Sequence, residues 1–266
     1  MESENSMTSL KNGKMNIAPD RKPNKMQMIR DNYMSEPADW FSRDFKEEAG
    51  IEYTIKNIIV LTTLDSPRYE EFLELNSKHA MEFTPFYGTS GTKPEVHIFN
   101  NYLTILNNWF KENTSSEVVA ISEDDVLFLS GAFDFLSSAM KQLPSNWDTL
   151  SGNFSAIPKI KLISPNLISP VSYASSMNFT VFHRRSLIKI KDKLELRKGG
   201  STIHKHIDRY CFSPEVGLNS YCTWPMLCRE VAGYSMKDSR LTNTFENLIE
   251  SKPYRFWFLD KNRWTP

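Results

Sequence analysis

No stretch of this 266-residue sequence approaches the run of about 20 apolar residues that a membrane-crossing helix needs, and none near its start has the apolar centre of a signal peptide. Cysteine is scarce. Cys211, Cys222 and Cys228 form an odd set without Cys-X-X-Cys spacing, which argues against a disulfide framework and against a zinc knuckle. Reduced thiols, no membrane span and a cytoplasmic location are the expectations these absences support. Net charge is missing too: 32 basic residues balance 32 acidic ones and are interspersed with them. No electrostatic field therefore favours nucleic acid or an anionic membrane as a partner. A glycine-rich phosphate loop is absent after the first apolar run, Ile58 to Leu61, and no internal repeat is visible. Function must reside in a local site.

What is present is an ordinary globular composition, 40% hydrophobic and 12% aromatic, enough to bury one good core. Residues 1–50 carry Pro19, Pro23 and Pro37 with no sustained periodicity and read as a disordered or loosely docked arm. The domain is expected over 51–245, with an aromatic segment over 246–266, containing Tyr254, Phe256, Trp257, Phe258 and Trp264, packing back on it. Ile58 to Leu61 predicts a buried strand, Ser66-Pro67 opens a helix running to about 80, and Phe83 to Tyr87 predicts a second strand. A helix over 95–112 places Ile98, Tyr102, Ile105, Leu106, Trp109 and Phe110 on one face. Further strands are expected at Val118 to Ile121, near Trp147 to Leu150 and at Met177 to Phe182, with helices after Phe133 and after Arg184. The alternation is that of an α/β fold, a Rossmann-type domain with a mostly parallel central sheet flanked by helices.

The informative stretch is Ser122-Glu123-Asp124-Asp125, delivered by an apolar run that marks a strand covered on both faces. Adjacent carboxylates in a partly dehydrated crevice repel and raise one another's pKa, and a divalent cation resolves the conflict. Extended geometry would point Glu123 and Asp125 one way and Asp124 the other. Mn²⁺ or Mg²⁺ takes such oxygen ligands and leaves positions for diphosphate oxygens. Breaking a bond between a sugar and a nucleoside diphosphate builds negative charge on the departing phosphate, where such a cation stabilises it. The bland alternative is a solvated acidic turn, but apolar runs flank this one on both sides. Three sequons, at Asn113, Asn153 and Asn178, are short patterns that arise often by chance.

Over most of 57–240 the sequence resembles glycosyltransferase family 25, whose bacterial members extend lipooligosaccharide and whose animal relatives glycosylate collagen. The resemblance rests on Ile121-Ser122-Glu123-Asp124-Asp125-Val126, similar to the family's Glu-Asp-Asp motif, and on Leu143-Pro144-Ser145-Asn146-Trp147-Asp148, similar to its Leu-Pro-X-X-Trp-Asp segment. Ile59 to Arg68, Ile207 to Tyr210 and Pro225 to Ser235 resemble further segments, whereas His97 to Asn100 lacks the family's Ser-His and Asn57 to Leu64 its Asn-Leu-Asp. The resemblance implies a GT-A-like domain, a nucleotide-sugar donor and inversion at the anomeric carbon.

Inversion needs a base for the acceptor hydroxyl. Asp208 is the first candidate and Asp148 the second, although Asp148 also suits a structural role at a strand end. Donor contacts are expected from Thr62, Thr63, Leu64, Arg68, Glu123 and Asp124, and metal ligation from Asp125, Glu123 and His206, with His204 and His183 as lesser candidates. Trp109, Trp147, Tyr173, Trp224 and Trp257 read mostly as core residues, with Trp224 beside Pro225 the first candidate for an exception that stacks on a sugar. The reading is transfer of one sugar from a nucleotide sugar to a glycan or glycoprotein acceptor. Its rivals are a metal-dependent nucleotidyltransferase and an inactive or carbohydrate-binding homologue.

Overall fold

The computed structural model describes residues 53–64, 66–154, 160–170, 177–198, 205–231, 233–234 and 241–242. The expected N-terminal arm, the C-terminal aromatic segment, Tyr173, His204 and Trp257 lie outside them. In chain order the elements are β1 (Asn57–Thr62), α1 (Arg68–Asn76), β2 (Glu82–Tyr87), α2 (Pro94–Glu112), β3 (Val118–Glu123), β4 (Val126–Phe128), α3 (Ala132–Met140), β5 (Thr149–Ser151), β6 (Ile160–Ser164), β7 (Leu167–Pro170), β8 (Phe179–His183), α4 (Arg184–Asp192), a 3-10 turn (Leu194–Arg197), α5 (Ile207–Cys211), β9 (Ser220–Thr223), β10 (Cys228–Glu230), β11 (Gly233–Tyr234) and β12 (Leu241–Thr242). No helix among the described residues is long and apolar enough to cross a membrane.

Eight strands form the central sheet in the order β2-β1-β3-β8-β5-β9-β7-β6. β2, β1 and β3 are mutually parallel, as are β5 and β9, while β8 runs antiparallel to both β3 and β5 and β7 antiparallel to β9 and β6. Six of the eight strands therefore point one way, β7 and β8 being the exceptions. The result is an α/β fold whose mostly parallel sheet is flanked by helices.

Strand alternation divides the core between the two faces. Val119 and Ile121 of β3 pack with Phe99, Tyr102, Ile105 and Leu106 of α2 and with Leu187 and Ile190 of α4. Val118 and Ala120 pack on the other face with Phe72 of α1 and Leu136, Ala139 and Met140 of α3. Phe72 and Phe99 are fully buried, each stabilising the fold by about 2–3 kcal/mol relative to an exposed position. The three cysteines are free and buried. Burial raises the thiol pKa of each, and so keeps them as apolar filling rather than as nucleophiles.

Local chemistry sets the element boundaries that matter for the site. Ser66 Oγ accepts from the backbone N–H of Arg68 at 3.2 Å and so turns the chain from the β1 loop into α1. Gly131 opens α3 with φ of +78°, a left-handed conformation that side chains with a Cβ avoid. β4 leaves the main sheet and pairs antiparallel with β10, setting Glu230 opposite Val126. The sequons at Asn153 and Asn178 fall on buried side chains, so neither is reachable for glycosylation in the folded chain.

Candidate functional site

The sheet order reverses between β1 and β3: from β1 the chain moves to β2 on one side and then crosses to β3 on the other. Crevices open outside the carboxyl ends of strands at such points. Here one of about 430 Å³ is lined by Thr62, Thr63, Arg68, the acidic triplet, His206, Asp208 and Glu230 among others. Eight expected site residues thus meet in one place: Thr62, Thr63, Arg68, Glu123, Asp124, Asp125, His206 and Asp208.

β3 ends at Glu123, and Asp124 and Asp125 belong to the turn that follows. The expected alternation, with Asp124 pointing away, is therefore corrected, because a turn does not preserve the pleat. Arg68 joins both aspartates, its Nη2 lying 2.7 Å from Asp125 Oδ2 and its Nε 3.5 Å from Asp124 Oδ1. Thr62 Oγ1 donates to Asp124 Oδ2 at 2.7 Å, and Asn178 Nδ2 donates to Asp125 Oδ1 at 3.4 Å. Behind the crevice lining, the hydroxyl of fully buried Tyr102 lies 3.0 Å from the Met177 carbonyl and 3.5 Å from Glu123 Oε1.

Burial is the main cause that lifts the Glu123 carboxyl well above its ordinary range, with Asp125, Glu230, Asp124 and Asp208 adding to it. Burial also raises Asp124, against the opposing pull of Arg68 and the Thr62 hydroxyl. Glu230 is raised to about 7 by burial and then by Asp125, with Arg68 opposing. Burial works against the charge of Arg68, yet Asp125 and Asp124 outweigh it and hold the guanidinium firmly protonated.

The opposite wall is the loop after β2. Gly88 N donates to the Thr62 carbonyl at 2.8 Å, and Asn101 clamps the loop by accepting from Thr89 N at 3.1 Å and donating to Thr89 O at 3.0 Å. A Cβ on Gly88 would come within 2.4 Å of the Asn101 amide nitrogen, so this close approach needs glycine.

Four candidate residues lie outside the crevice. Asp148 precedes β5, whose Thr149 pairs with Phe182 beside the start of β3, so it lies at the opposite end of the strands from Glu123, roughly 17 Å away along them. There its fully buried Oδ2 accepts from Lys189 Nζ at 2.6 Å and from Asn219 N at 2.7 Å, a structural role. Leu64 is 77% exposed and does not line the crevice. His183 caps α4 by accepting from Arg185 N. Trp224, the candidate exception for sugar stacking, packs partly buried against the core outside the crevice lining, as the core reading of the tryptophans has it.

Glu230, Tyr102, Asn101 and Asn178 were not foreseen as site residues. Glu230 arrives only through the β4–β10 pairing, and the other three stand on positions that read as core helix or sequon.

The donor set suits a hard divalent cation: Glu123, Asp124, Asp125, Glu230 and Asp208 crowd one crevice, and burial followed by that crowding lifts the Glu123 carboxyl. Among the described residues no three such groups already converge as ligands. Asp124 and Asp125 are turned instead toward Arg68.

No protein-family model matches the chain, and no curated protein matches it. Solved structures similar in arrangement include three at low identity. A glycosyltransferase involved in glycosylation of the major capsid of PBCV-1 is 11% identical with a TM-score of 0.37, over 64% of this chain and 81% of that one. A197 from STIV is 15% identical with a TM-score of 0.44, over 71% and 95%. The mannosyltransferase PcManGT from Pyrobaculum calidifontis, in complex with GDP-Man and Mn²⁺, is 14% identical with a TM-score of 0.41, over 75% of this chain and 63% of that one. Likeness at this level carries no weight for what this chain binds.

Proposed function

We propose that this chain is a metal-dependent glycosyltransferase of the GT-A type, related to family 25, that moves one sugar from a nucleotide-sugar donor to a glycan or glycoprotein acceptor with inversion. The observation that carries the reading is the meeting of the acidic triplet, Arg68 and Asp208 in one crevice outside the carboxyl ends of β1 and β3. Asp125, Glu123 and His206 are the residues that would hold Mn²⁺ or Mg²⁺, and the bound ion would supply stabilisation of the charge developing on the departing diphosphate.

The protein's own groups do the rest. Arg68 offers a planar fork of N–H donors suited to diphosphate oxygens. Thr62 and Thr63 border the crevice at the end of β1, where backbone and hydroxyl groups meet a nucleotide. Asp208, which lines the crevice from the first turn of α5, is the residue we assign to take the proton from the attacking acceptor hydroxyl.

The test is release of nucleoside diphosphate from a panel of nucleotide sugars, with Mn²⁺ and with EDTA. Asp125→Ala should lower release by about 100-fold or more while melting like the parent. Asp208→Asn should keep donor binding, read as a thermal shift, and lose transfer. Full activity in Asp125→Ala, or no release from any donor under either condition, would refute the reading. Synthesis of a nucleotide sugar from a nucleoside triphosphate would assign the chain to the nucleotidyltransferases instead.

A further inference from the structure

The geometry points to Arg68 as an internal counter-ion that makes cation binding conditional on a diphosphate, so that the two ligands enter as a coupled pair. This rests on the reading of the crevice as a site for a diphosphate and a divalent ion. Each of the four oxygens of Asp124 and Asp125 faces a protein donor: Arg68 Nε and Thr62 Oγ1 for Asp124, Arg68 Nη2 and Asn178 Nδ2 for Asp125. A cation arriving alone must break the 2.7 Å ion pair between Arg68 and Asp125 and leave a guanidinium beside its own positive charge. The Arg68 side chain is only 20% exposed, so water does little to compensate the displaced charge.

A diphosphate changes this balance, because its oxygens match the guanidinium fork as well as a carboxylate does. Moving Arg68 onto the diphosphate would free the Asp125 oxygen for the cation, whose charge would in turn favour the phosphates beside it. Each ligand then raises the affinity of the other by the same factor, as reciprocal coupling requires. Arg68 is a positioning residue in this scheme, governing when the acidic turn becomes available.

The test uses the full chain stripped with EDTA, with Mn²⁺ binding followed by loss of the free-ion electron paramagnetic resonance signal. Methylenediphosphonate serves as the non-hydrolysable diphosphate probe, with controls for its own Mn²⁺ complex. The parent protein should bind Mn²⁺ alone at least about tenfold more weakly than Arg68→Gln, and the probe should tighten Mn²⁺ binding in the parent but much less in the variant. Arg68→Lys, which retains a cation but cannot bridge two carboxylates, should fall between them and guards against misfolding of the Gln variant. Equal Mn²⁺ affinity in parent and both variants, with the probe still binding, would overturn the coupling while leaving the crevice as a diphosphate site. No binding of ion or probe to any of the three would overturn both.

Discussion

Glu230 shows how one side chain can tie the site to the stability of the fold. Its carboxyl has an ordinary value of 4.5 and is raised to about 7, by burial first and Asp125 second. Between those values the native chain keeps a proton that the unfolded chain releases. The contribution to stability is therefore complete below about 4.5 and is lost as pH rises through about 7. Glu230→Gln removes the ionisation, so in EDTA its melting temperature should match the parent near pH 4 and exceed it by roughly 6–12 °C at pH 8, at about 2–4 °C per kcal/mol. Melting curves across that range check it, and a pH-independent difference would refute the assignment. Nothing in the sequence marks Glu230, because its neighbours in space lie about a hundred positions away along the chain and only β10 brings it there. Glu123, Asp124 and Asp125 were legible for the opposite reason: they are consecutive, and an apolar strand announces them. The direction of Asp124 was not, since the pleat stops one residue too early for alternation to govern it.

At the scale of elements, the hold of α1 on the β4–β10 ribbon depends on one polar side chain. Asn76 is fully buried at the end of α1, where its amide nitrogen donates to the carbonyls of Phe72 and Val126, both at 2.9 Å, and its oxygen accepts from Phe128 N at 2.9 Å. Asn76→Ala leaves the Val126 carbonyl and the Phe128 N–H buried and unpaired, so it should lower stability by about 2–4 kcal/mol in urea unfolding. A loss below 1 kcal/mol, roughly that of a surface change, would show that the ribbon is held by its apolar contacts and by His79, whose Nε2 lies 3.0 Å from the Phe128 carbonyl. Periodicity made α2 and β3 readable, because both carry long, well-phased apolar patterns. It said nothing of the direction of β8, whose alternation is the same whichever way the strand runs between β3 and β5. Nor could it separate β4 from the strand before it, as apolar residues continue across the acidic turn.

For the molecule as a whole, the two ends of the sheet have separate tasks. The carboxyl ends of β1 and β3 carry the crevice, while the far end carries the buried ion pair of Asp148 with Lys189. Lys189→Met should cost on the order of 2 kcal/mol, because it leaves Asp148 with the Asn219 N–H and the more distant Arg185, 4.0 Å away, as its remaining partners; Lys189 is partly exposed, which moderates the loss. The same change should leave donor affinity untouched, as read by thermal shift with nucleotide sugars. A large fall in donor affinity would mean that the two ends communicate. The Leu-Pro-X-X-Trp-Asp resemblance thus lands on this far end, where Trp147 is buried and Asp148 is paired. A motif shared for its packing looks the same in sequence as one shared for its chemistry.

The antiparallel pairing of β4 with β10 also fixes when the site can come into being. A nascent chain halted on the ribosome before Cys228 would already display all three members of the acidic triplet, yet lack the strand that walls them in. Competence to hold a ligand would then arrive late and in a single step, only after the segment ending at Glu230 has left the exit tunnel.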